Sequence, residues 1–426
     1  MATPLQPVRG MNDILPQDEA LWEKLESTAE ALFRAYGYHR IRIPVIERTE
    51  LFSRSIGELT DIVEKEMYTF EDRGGDSVTL RPEATAGVVR ACLSNGLLHN
   101  QQQKLWCSGP MFRREKPQKG RYRQFHQLSV EALGFDEPEI DAELIVMSAR
   151  LWRELGLDHV RLEMNSLGTP ESRAVYKDAL VRYFSRHLDA LDADSLRRLE
   201  RNPLRILDSK NPDMAELIAG APVLTEHLDD ASRAHFERVQ QLLGDCGVEA
   251  ELNPRLVRGL DYYTRTVFEW LTDRLGAQSA VCSGGRYDGL VAQLGGRDTP
   301  AVGWALGVER IVELLRLEEG DPGIRAPDVF IVSVGDAARR AAFAAAEQLR
   351  SRVPALTVSI GAPAAGFKAQ MRRADKSGAR YAVIIGDDEL AAGTLGLKPL
   401  RVDAPQQSLN LEQLVSQLSS APERRE

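Results

Sequence analysis

A short stretch between Phe112 and Glu131 combines arginines, an amide and carboxylates at spacings that could bind a charged ligand. The stretch is typical of a β-hairpin whose loop is KPQKGRY, and side chains on the returning arm alternate between two faces. Gln127 and Glu131 therefore share one face, opposite Leu128 and Val130. A buried amide and a buried carboxylate need polar partners, and a ligand is one candidate for that partner.

The same hairpin is the best candidate for a phosphate-binding segment. Its basic side chains are Arg113, Arg114, Arg121 and Arg123, and Phe125 is available to stack on a base. The sequence has no GxxxxGK[ST] loop, and its glycine-rich segments lack the strand, turn and helix order of a dinucleotide-binding fingerprint. If ATP binds, we expect arginines and a metal ion to contact its phosphates. A solvated basic hairpin is the alternative interpretation.

Two further segments carry side chains that suit an amino-acid substrate. In RPEATAG, Glu83 and Thr85 lie at a predicted strand-to-helix boundary, where they could bind an ammonium group or cap the helix. In RGLDYYT, at 258–264, an arginine and an acid precede Tyr262 and Tyr263. Neighbouring strand residues point to opposite faces, so at most one tyrosine should line a pocket unless the chain turns there. Core packing is the alternative for both segments.

The order of these motifs resembles that of the class II aminoacyl-tRNA synthetases. The motifs are RPEATAG, FRRE with RQFHQLSVEALG, RGLDYYTRTVFEW, SGGRYDGLV and GWALGVER, which follow one another between Arg81 and Arg310, and the resemblance extends over essentially the whole chain. RGLDYYT and SGGRYDGL look like signatures of the histidyl-tRNA synthetase family. The resemblance implies ATP-dependent ligation of L-histidine to its tRNA through a histidyl-adenylate, with Mg²⁺ accompanying ATP and with AMP and pyrophosphate as products.

The resemblance also implies roles for individual residues. Arg113 and Arg258 would be catalytic, and Arg258 would approach the α-phosphate where other class II enzymes use a further metal ion. Histidine would be bound by Glu83, Thr85, Gln127, Glu131, Arg258, Tyr262, Tyr263 and Tyr287. ATP would be bound by Arg113, Glu115, Arg121, Phe125 and Arg310. On the first hairpin arm, Arg113 and Glu115 are predicted to share a strand face.

The pattern of elements divides the chain into domains. We predict an α+β catalytic domain at 1–325, which the resemblance implies is built on an antiparallel sheet of the class II type. A helical insertion with its own small core is expected at about 169–247. Alternating strands and helices at 326–426 predict a small, mainly parallel α/β domain, which the resemblance identifies as anticodon-binding.

The N-terminal region contains a candidate subunit interface. Apolar side chains at helical spacing predict a helix from Asp18 to Tyr36, and HRIRIPVIE predicts a strand whose Pro44 cannot donate to a ladder. Packing within one subunit and packing between two subunits both fit these facts. The resemblance favours a homodimer.

Composition narrows the class of protein further. The net charge of −9 argues against extensive coating of nucleic acid but allows a local basic surface. The four cysteines show no CxxC spacing, so we expect neither a zinc site nor another structural metal held by the protein. No stretch resembles a secretory signal or a membrane span. We therefore expect a cytoplasmic protein without a membrane partner.

Two other functions remain to be weighed. One is a catalytically silent synthetase paralogue that regulates ATP phosphoribosyltransferase in histidine biosynthesis; such paralogues are expected to lack the terminal domain and to have eroded signatures. The other is a tRNA-binding module without catalysis. The terminal domain and the residues Arg113, Arg258 and Arg310 argue against the first, and the RGLDYYT segment argues against the second.

Overall fold

The computed structural model describes residues 5–57, 60, 62–117, 120–207, 209, 211–276, 280–362 and 365–420. Its contacts divide the chain into two compact units, Met1–Pro322 and Gly323–Glu426. Each unit has its own buried apolar clusters.

The first unit contains helices α1 Glu19–Ala35, α2 Thr49–Ile56, α3 Thr85–Ser94, α4 Pro138–Glu154, α5 Pro170–Phe184, α6 Ala193–Arg201, α7 Ala215–Ala219, α8 Asp230–Asp245, α9 Leu290–Gln293 and α10 Val308–Glu319. Short helical turns occur at Ile62–Glu66, Leu188–Ala190, Pro203–Ile206, Pro212–Met214, Leu224–His227 and Asp273–Leu275. Its strands are β1 His39–Arg40, β2 Ile46–Arg48, β3 Tyr68–Glu71, β4 Ser77–Leu80, β5 Gln103–Phe112, β6 Gln124–Leu133, β7 Arg161–Ser166, β8 Glu251–Leu252, β9 Thr264–Leu271, β10 Ala280–Arg286 and β11 Ala301–Gly307.

An eight-stranded sheet in the order β1-β5-β6-β11-β10-β9-β7-β8 is the centre of this unit. The pairs from β5 through β7 are antiparallel, and only the edge pairs β1/β5 and β7/β8 are parallel. Strands β2, β4 and β3 form a second, antiparallel sheet. The predicted α+β architecture on an antiparallel sheet is confirmed.

The predicted hairpin is formed by β5 and β6, and it separates its two faces as expected. Leu128 and Val130 are buried in the apolar cluster that includes residues of α1, α4, α8 and α10. Gln127 and Glu131 point to the other face of the sheet, away from that cluster. The alternation along β6 therefore decides which side chains are available for chemistry.

The N-terminal helix is confirmed as α1, but the single strand predicted for HRIRIPVIE is wrong. The segment forms the two short strands β1 and β2, separated by irregular backbone around Pro44. The buried guanidinium of Arg81 donates to the carbonyl oxygens of Ile43 at 3.0 Å and of Pro44 at 3.4 Å. A side chain thus satisfies carbonyls that a continuous ladder would otherwise have used.

The described part of region 169–247 is largely helical, and its apolar side chains belong to two clusters that also contain residues from outside the region. Phe236, Val239 and Leu243 of α8 join the same apolar cluster as α1 and α4. Tyr176 and Leu180 of α5 join the cluster that contains Tyr262 and Tyr263. Within the region, α5 packs against the turns Pro203–Ile206 and Leu224–His227, and α6 packs against Pro203–Ile206, so its helices bury apolar surface on one another as well as on the sheet.

The second unit contains helices α11 Asp336–Arg352, α12 Phe367–Lys376, α13 Asp387–Ala392 and α14 Leu411–Ser419, and strands β12 Val329–Ser333, β13 Val358–Ile360, β14 Tyr381–Ile385, β15 Leu395–Pro399 and β16 Gln407–Leu409. The sheet order is β13-β12-β14-β15-β16. The three predicted strands are parallel, but β15 and β16 add antiparallel pairs, so "mainly parallel" is wrong for the whole sheet. β15 is as long as β12 and β14, but Gly396, Lys398 and Pro399 interrupt its apolar pattern, and β16 has only three residues.

Candidate active site

One cavity of about 300 Å³ lies on the Gln127 face of the large sheet. Its wall includes nearly every site residue expected from the sequence: Glu83, Thr85, Arg113, Glu115, Arg121, Phe125, Gln127, Arg258, Tyr262, Tyr263, Tyr287 and Arg310. Glu131 is not part of the wall. Its side chain is only 1% exposed and lies behind Thr85 and Tyr287, to which it is hydrogen bonded.

The Glu83 carboxylate caps the first turn of α3. It accepts hydrogen bonds from the backbone nitrogens of Thr85 at 2.6 Å and Ala86 at 2.9 Å. Burial raises the pKa of this carboxyl, while the two backbone bonds and the charge of Arg113 oppose that rise. The helix-cap and pocket interpretations of RPEATAG are therefore compatible, because one side chain both caps α3 and lines the cavity.

Glu131 joins the two sides of the cavity through its carboxylate. The Thr85 hydroxyl donates to Oε1 at 2.7 Å, and the Tyr287 hydroxyl donates to Oε2. Burial raises the pKa of Glu131 to about 8; the two hydroxyl bonds oppose this rise and the Glu83 charge adds to it. This carboxyl can therefore gain or lose a proton near neutral pH.

Three tyrosine rings meet at the same end of the cavity. Tyr262 and Tyr263 both line it, because the chain turns at 261–262 and β9 begins only at Thr264. Their ring centroids are 4.7 Å apart, and the Tyr287 ring lies 5.5 Å from Tyr262 and 6.4 Å from Tyr263. Because the chain turns here, both tyrosines can line the cavity.

Arg113 and Glu115 reach the cavity from irregular backbone. They do not share a strand face as predicted, because β5 ends at Phe112. The Arg113 Nε donates to the Pro82 carbonyl at 2.8 Å, and its guanidinium carbon lies 5.4 Å from the centre of the Phe125 ring. The backbone carbonyl and the ring thus hold Arg113 against the cavity wall.

Gln127 presents an unused acceptor to the cavity. Its amide oxygen is buried and has no hydrogen-bond partner within the described part of the chain. Buried acceptors are nearly always satisfied in folded proteins, so a ligand donor is the expected partner. An ammonium group would supply such a donor.

Arg258 is buried in the cavity wall and forms an ion pair with Glu269 of β9. Its guanidinium carbon lies 5.3 Å from the centre of the Tyr263 ring. Burial acts to lower the pKa of Arg258, but the charge of Glu269 together with Tyr263 and Tyr262 more than offsets this, and the pKa is raised. Arg258 therefore remains cationic in the wall despite its burial.

The remaining arginines form a second positive group. The Arg121 Nη1 donates to Oε2 of Glu115 at 2.8 Å. Burial and the neighbouring Arg121 lower the pKa of Arg310 to about 10, and Glu115 opposes this change. Arg310 is still cationic at neutral pH. The cavity thus has one end rich in carboxylates, amide and tyrosines, and another rich in arginines.

Comparisons with known proteins agree with this geometry. A family model described as histidyl-tRNA synthetase matches residues 10–311, and one described as anticodon binding domain matches residues 328–421. A histidine–tRNA ligase of Halorhodospira halophila is 60% identical over 415 residues, which cover 97% of both chains. The chain belongs to the histidyl-tRNA synthetase family. The resemblance seen in the motifs is confirmed.

Solved structures of the family have the same fold. The apo histidyl-tRNA synthetase of S. aureus is 36% identical, with 98% of this chain and 100% of that chain covered and a TM-score of 0.81. A Bacillus halodurans protein described as an ATP phosphoribosyltransferase regulatory subunit/histidyl-tRNA synthetase is 22% identical, with 91% and 99% covered and a TM-score of 0.66. At that identity the second likeness shows the fold alone.

Two acidic residues of this family member were missed by sequence reasoning. Glu269 lies in RTVFEW, directly after the RGLDYYT signature, and pairs with Arg258. Glu309 precedes Arg310 and accepts the backbone N–H of His126 at 2.9 Å, which ties the start of α10 to β6. An acid inside each motif was the available signal. Each needed its partner in space before a role could be assigned.

The described ranges contain neither a candidate membrane span nor a metal-binding group of side chains. None of the helices in the described ranges is long and apolar enough to cross a membrane. Within the same ranges, no three His, Cys, Asp or Glu side chains are grouped so that they could hold a metal ion.

Proposed function

We propose that the protein ligates L-histidine to its tRNA in an ATP-dependent reaction through a histidyl-adenylate, with release of pyrophosphate and AMP. The proposal rests on one cavity that has a polar, acidic end and an arginine-rich end, in a chain of the histidyl-tRNA synthetase family. The first end suits an amino acid with an imidazole side chain. The second suits a nucleoside triphosphate.

The amino acid would be recognised by groups that the cavity already orients. The free amide oxygen of Gln127 and the carboxylate of Glu83 suit the α-ammonium group, with the Thr85 hydroxyl nearby. The imidazole would lie among the rings of Tyr262, Tyr263 and Tyr287, with the Glu131 carboxylate directly behind them. An apolar rival would leave these buried polar groups unpaired, so selection needs no separate editing site.

The nucleotide would be bound by Arg113, Glu115, Arg121, Phe125 and Arg310. Attack of the histidine carboxylate on the α-phosphate needs positioning and charge stabilisation more than it needs a base. We assign the charge stabilisation to Arg113 and Arg258, which line the same cavity and are each held by a partner. Mg²⁺ would accompany ATP, because triphosphate oxygens provide the ligands that this ion prefers.

The tRNA would contact both units of the chain. The match of residues 328–421 to an anticodon-binding model supports that role for the second unit. Exposed basic side chains on α12 are candidates for the contact: Lys368, Arg372, Arg373 and Lys376. The helical region at 169–247 is the candidate for the acceptor stem. We place this reaction of protein biosynthesis in the cytoplasm.

A homodimer is the proposed assembly. Ile46 and Phe70 on the small β2-β4-β3 sheet are each 46% exposed, although both are large and apolar. Ile46 belongs to the N-terminal segment that the resemblance favours as a subunit interface, and Phe70 lies in the same small sheet. Analytical ultracentrifugation of the wild type should show a dimer, and a Phe70→Lys variant should shift it toward the monomer.

Histidine-dependent exchange of labelled pyrophosphate into ATP tests the main proposal. We expect exchange with histidine, followed by charging of histidine tRNA. Exchange with another amino acid but not with histidine would refute the proposal. The regulatory paralogue is the second candidate, but it is less supported, because Arg113, Arg258 and Arg310 line the cavity and the 328–421 match is present. Such a paralogue would show no exchange at all.

A further inference from the structure

The turn that presents Tyr262 and Tyr263 is held by side chains from the helical region. Residues 259–263 belong to neither a helix nor a strand, so their backbone carbonyls have no ladder partners. Arg173 of α5 donates from Nη2 to the Tyr263 carbonyl at 2.6 Å and from Nη1 to the Asp261 carbonyl at 3.4 Å. One guanidinium therefore spans both ends of the tyrosine pair.

A second arginine binds the start of the same turn. The Arg205 Nη2 donates to the Gly259 carbonyl at 2.7 Å, and its guanidinium is 3.6 Å from the Asp261 carboxylate. The Asn202 amide donates to that carboxylate at 3.4 Å. Three side chains of the helical region thus contact three residues of the turn 259–263, namely Gly259, Asp261 and Tyr263.

The opposite side of the turn is also closed. The Asp261 N–H donates to the Ile56 carbonyl at 3.3 Å, and a Cβ at Gly57 would lie 2.6 Å from Oδ2 of Asp261. The turn is therefore confined between the end of α2 and the helical region. Loss of the arginine contacts would release only the side that faces the helical region.

Arg173 is half-buried, and its bond to the Tyr263 carbonyl lies in the partly buried part of the contact. Burial lowers the pKa of Arg173, and the Asp261 charge opposes that change. Placing a guanidinium in such surroundings is costly unless its donors are satisfied. The carbonyls of the turn accept from both of its Nη groups, whereas its buried Nε has no hydrogen-bond partner within the described part of the chain.

We propose that Arg173 and Arg205 are positioning residues for the amino-acid pocket. They hold the turn 259–263 so that Tyr262 and Tyr263 both face the cavity, which an extended strand would prevent. Histidine affinity then depends on the placement of the helical region, although neither arginine lines the cavity. This inference rests on the proposed function, because it takes the amino acid to be bound at the tyrosine end.

The test compares Arg173→Ala, Arg173→Lys and Arg205→Ala with Arg233→Ala in pyrophosphate exchange. Arg233 is the matched control, because its guanidinium donates to a carbonyl, that of Leu228, within the helical region itself. We expect the two alanine variants at 173 and 205 to raise KM for histidine about tenfold, the usual effect of losing a charged hydrogen bond. KM for ATP should change by less than about twofold.

Arg173→Lys should show a smaller rise, because an ammonium group keeps the charge but lacks the fork that spans two carbonyls. If Arg173→Ala does not fold, the Arg173→Lys variant still tests the proposal. Equal rises in KM for histidine and for ATP would indicate a general structural role and would overturn the proposal. So would a rise in the Arg233→Ala control as large as in the other variants.

Hydrogen–deuterium exchange provides a measurement that does not depend on activity. Peptides covering residues 256–266 should exchange faster in Arg173→Ala and Arg205→Ala than in the wild type and in Arg233→Ala. Unchanged exchange in this segment overturns the proposal. If the wild type shows no histidine-dependent pyrophosphate exchange, the proposed function fails, and the deuterium measurement still decides whether the two arginines hold the turn.

Discussion

The Glu131 carboxylate occupies the space beside the α-carbon of Gly303 on the neighbouring strand. Strands β6 and β11 pair these two residues directly. A Cβ built on residue 303 would lie 1.9 Å from Oε2 of Glu131 and 2.5 Å from the Val130 carbonyl oxygen. The absence of a side chain at position 303 therefore allows the carboxylate to reach the hydroxyls of Thr85 and Tyr287.

Gly303→Ala should displace Glu131 and break that pair of hydrogen bonds. We expect a higher KM for histidine in pyrophosphate exchange and a loss of about 1–3 kcal/mol in the free energy of unfolding, as is usual for overpacking. Gly244→Ala in α8 is the matched control, because a Cβ there meets no atom within 4 Å. An unchanged KM with full stability in Gly303→Ala would contradict the assigned role.

The proton held by Glu131 should make stability depend on pH. Burial raises the pKa of this carboxyl from 4.5 to about 8 in the folded chain. The native state therefore binds the proton more tightly than the unfolded state, and the resulting stabilisation is full below pH 4.5 and is lost as pH rises through about 8. Between about pH 5 and about pH 9, the wild type should lose more thermal stability than Glu131→Gln. If the melting temperatures of the wild type and Glu131→Gln change equally with pH across this range, Glu131 does not titrate there.

Removal of Arg258 should affect the chemical step more than the binding of the amino acid. If Arg258 stabilises charge on the α-phosphate, Arg258→Ala should lower the rate of adenylate formation about 100- to 1,000-fold. Direct histidine binding, measured by calorimetry, should weaken much less. Arg274→Ala removes a surface arginine that pairs with Glu318 and serves as the control. Equal losses in rate and in histidine affinity would count against the assignment.

Arg310 should act on ATP and not on histidine. Burial and the neighbouring Arg121 lower its pKa to about 10, so it carries its charge throughout the neutral range. Arg310→Ala should raise KM for ATP about tenfold and leave histidine binding nearly unchanged. Arg316→Ala, on the same helix, removes an arginine paired with Asp18 and should change neither value. A selective rise in KM for histidine in Arg310→Ala would reverse the assignment of the two ends.

Much of the site could be predicted because it depends on local patterns. The alternation along β6 placed Gln127 and Glu131 on one face, and the structure has them on that face. The family motifs then identified the other site residues. Of all the predicted site residues, only Glu131 does not line the cavity. The alternation of side chains along a strand depends only on local sequence. The face on which each residue lies can therefore be predicted without knowledge of the tertiary structure.

The contacts that fix the position and the charge of these side chains could be seen only in the tertiary structure. Glu131 lies behind the wall because a glycine on β11 leaves room for it, and Arg258 stays charged because β9 places Glu269 beside it. The paired tyrosines face one cavity because Arg173 bonds to backbone carbonyls of their turn. Every residue has a backbone carbonyl, so the identity of the accepting residue does not indicate that a side chain will bond to it. The sequence thus determined which chemical groups are present and which strand face they share, and folding determined their partners.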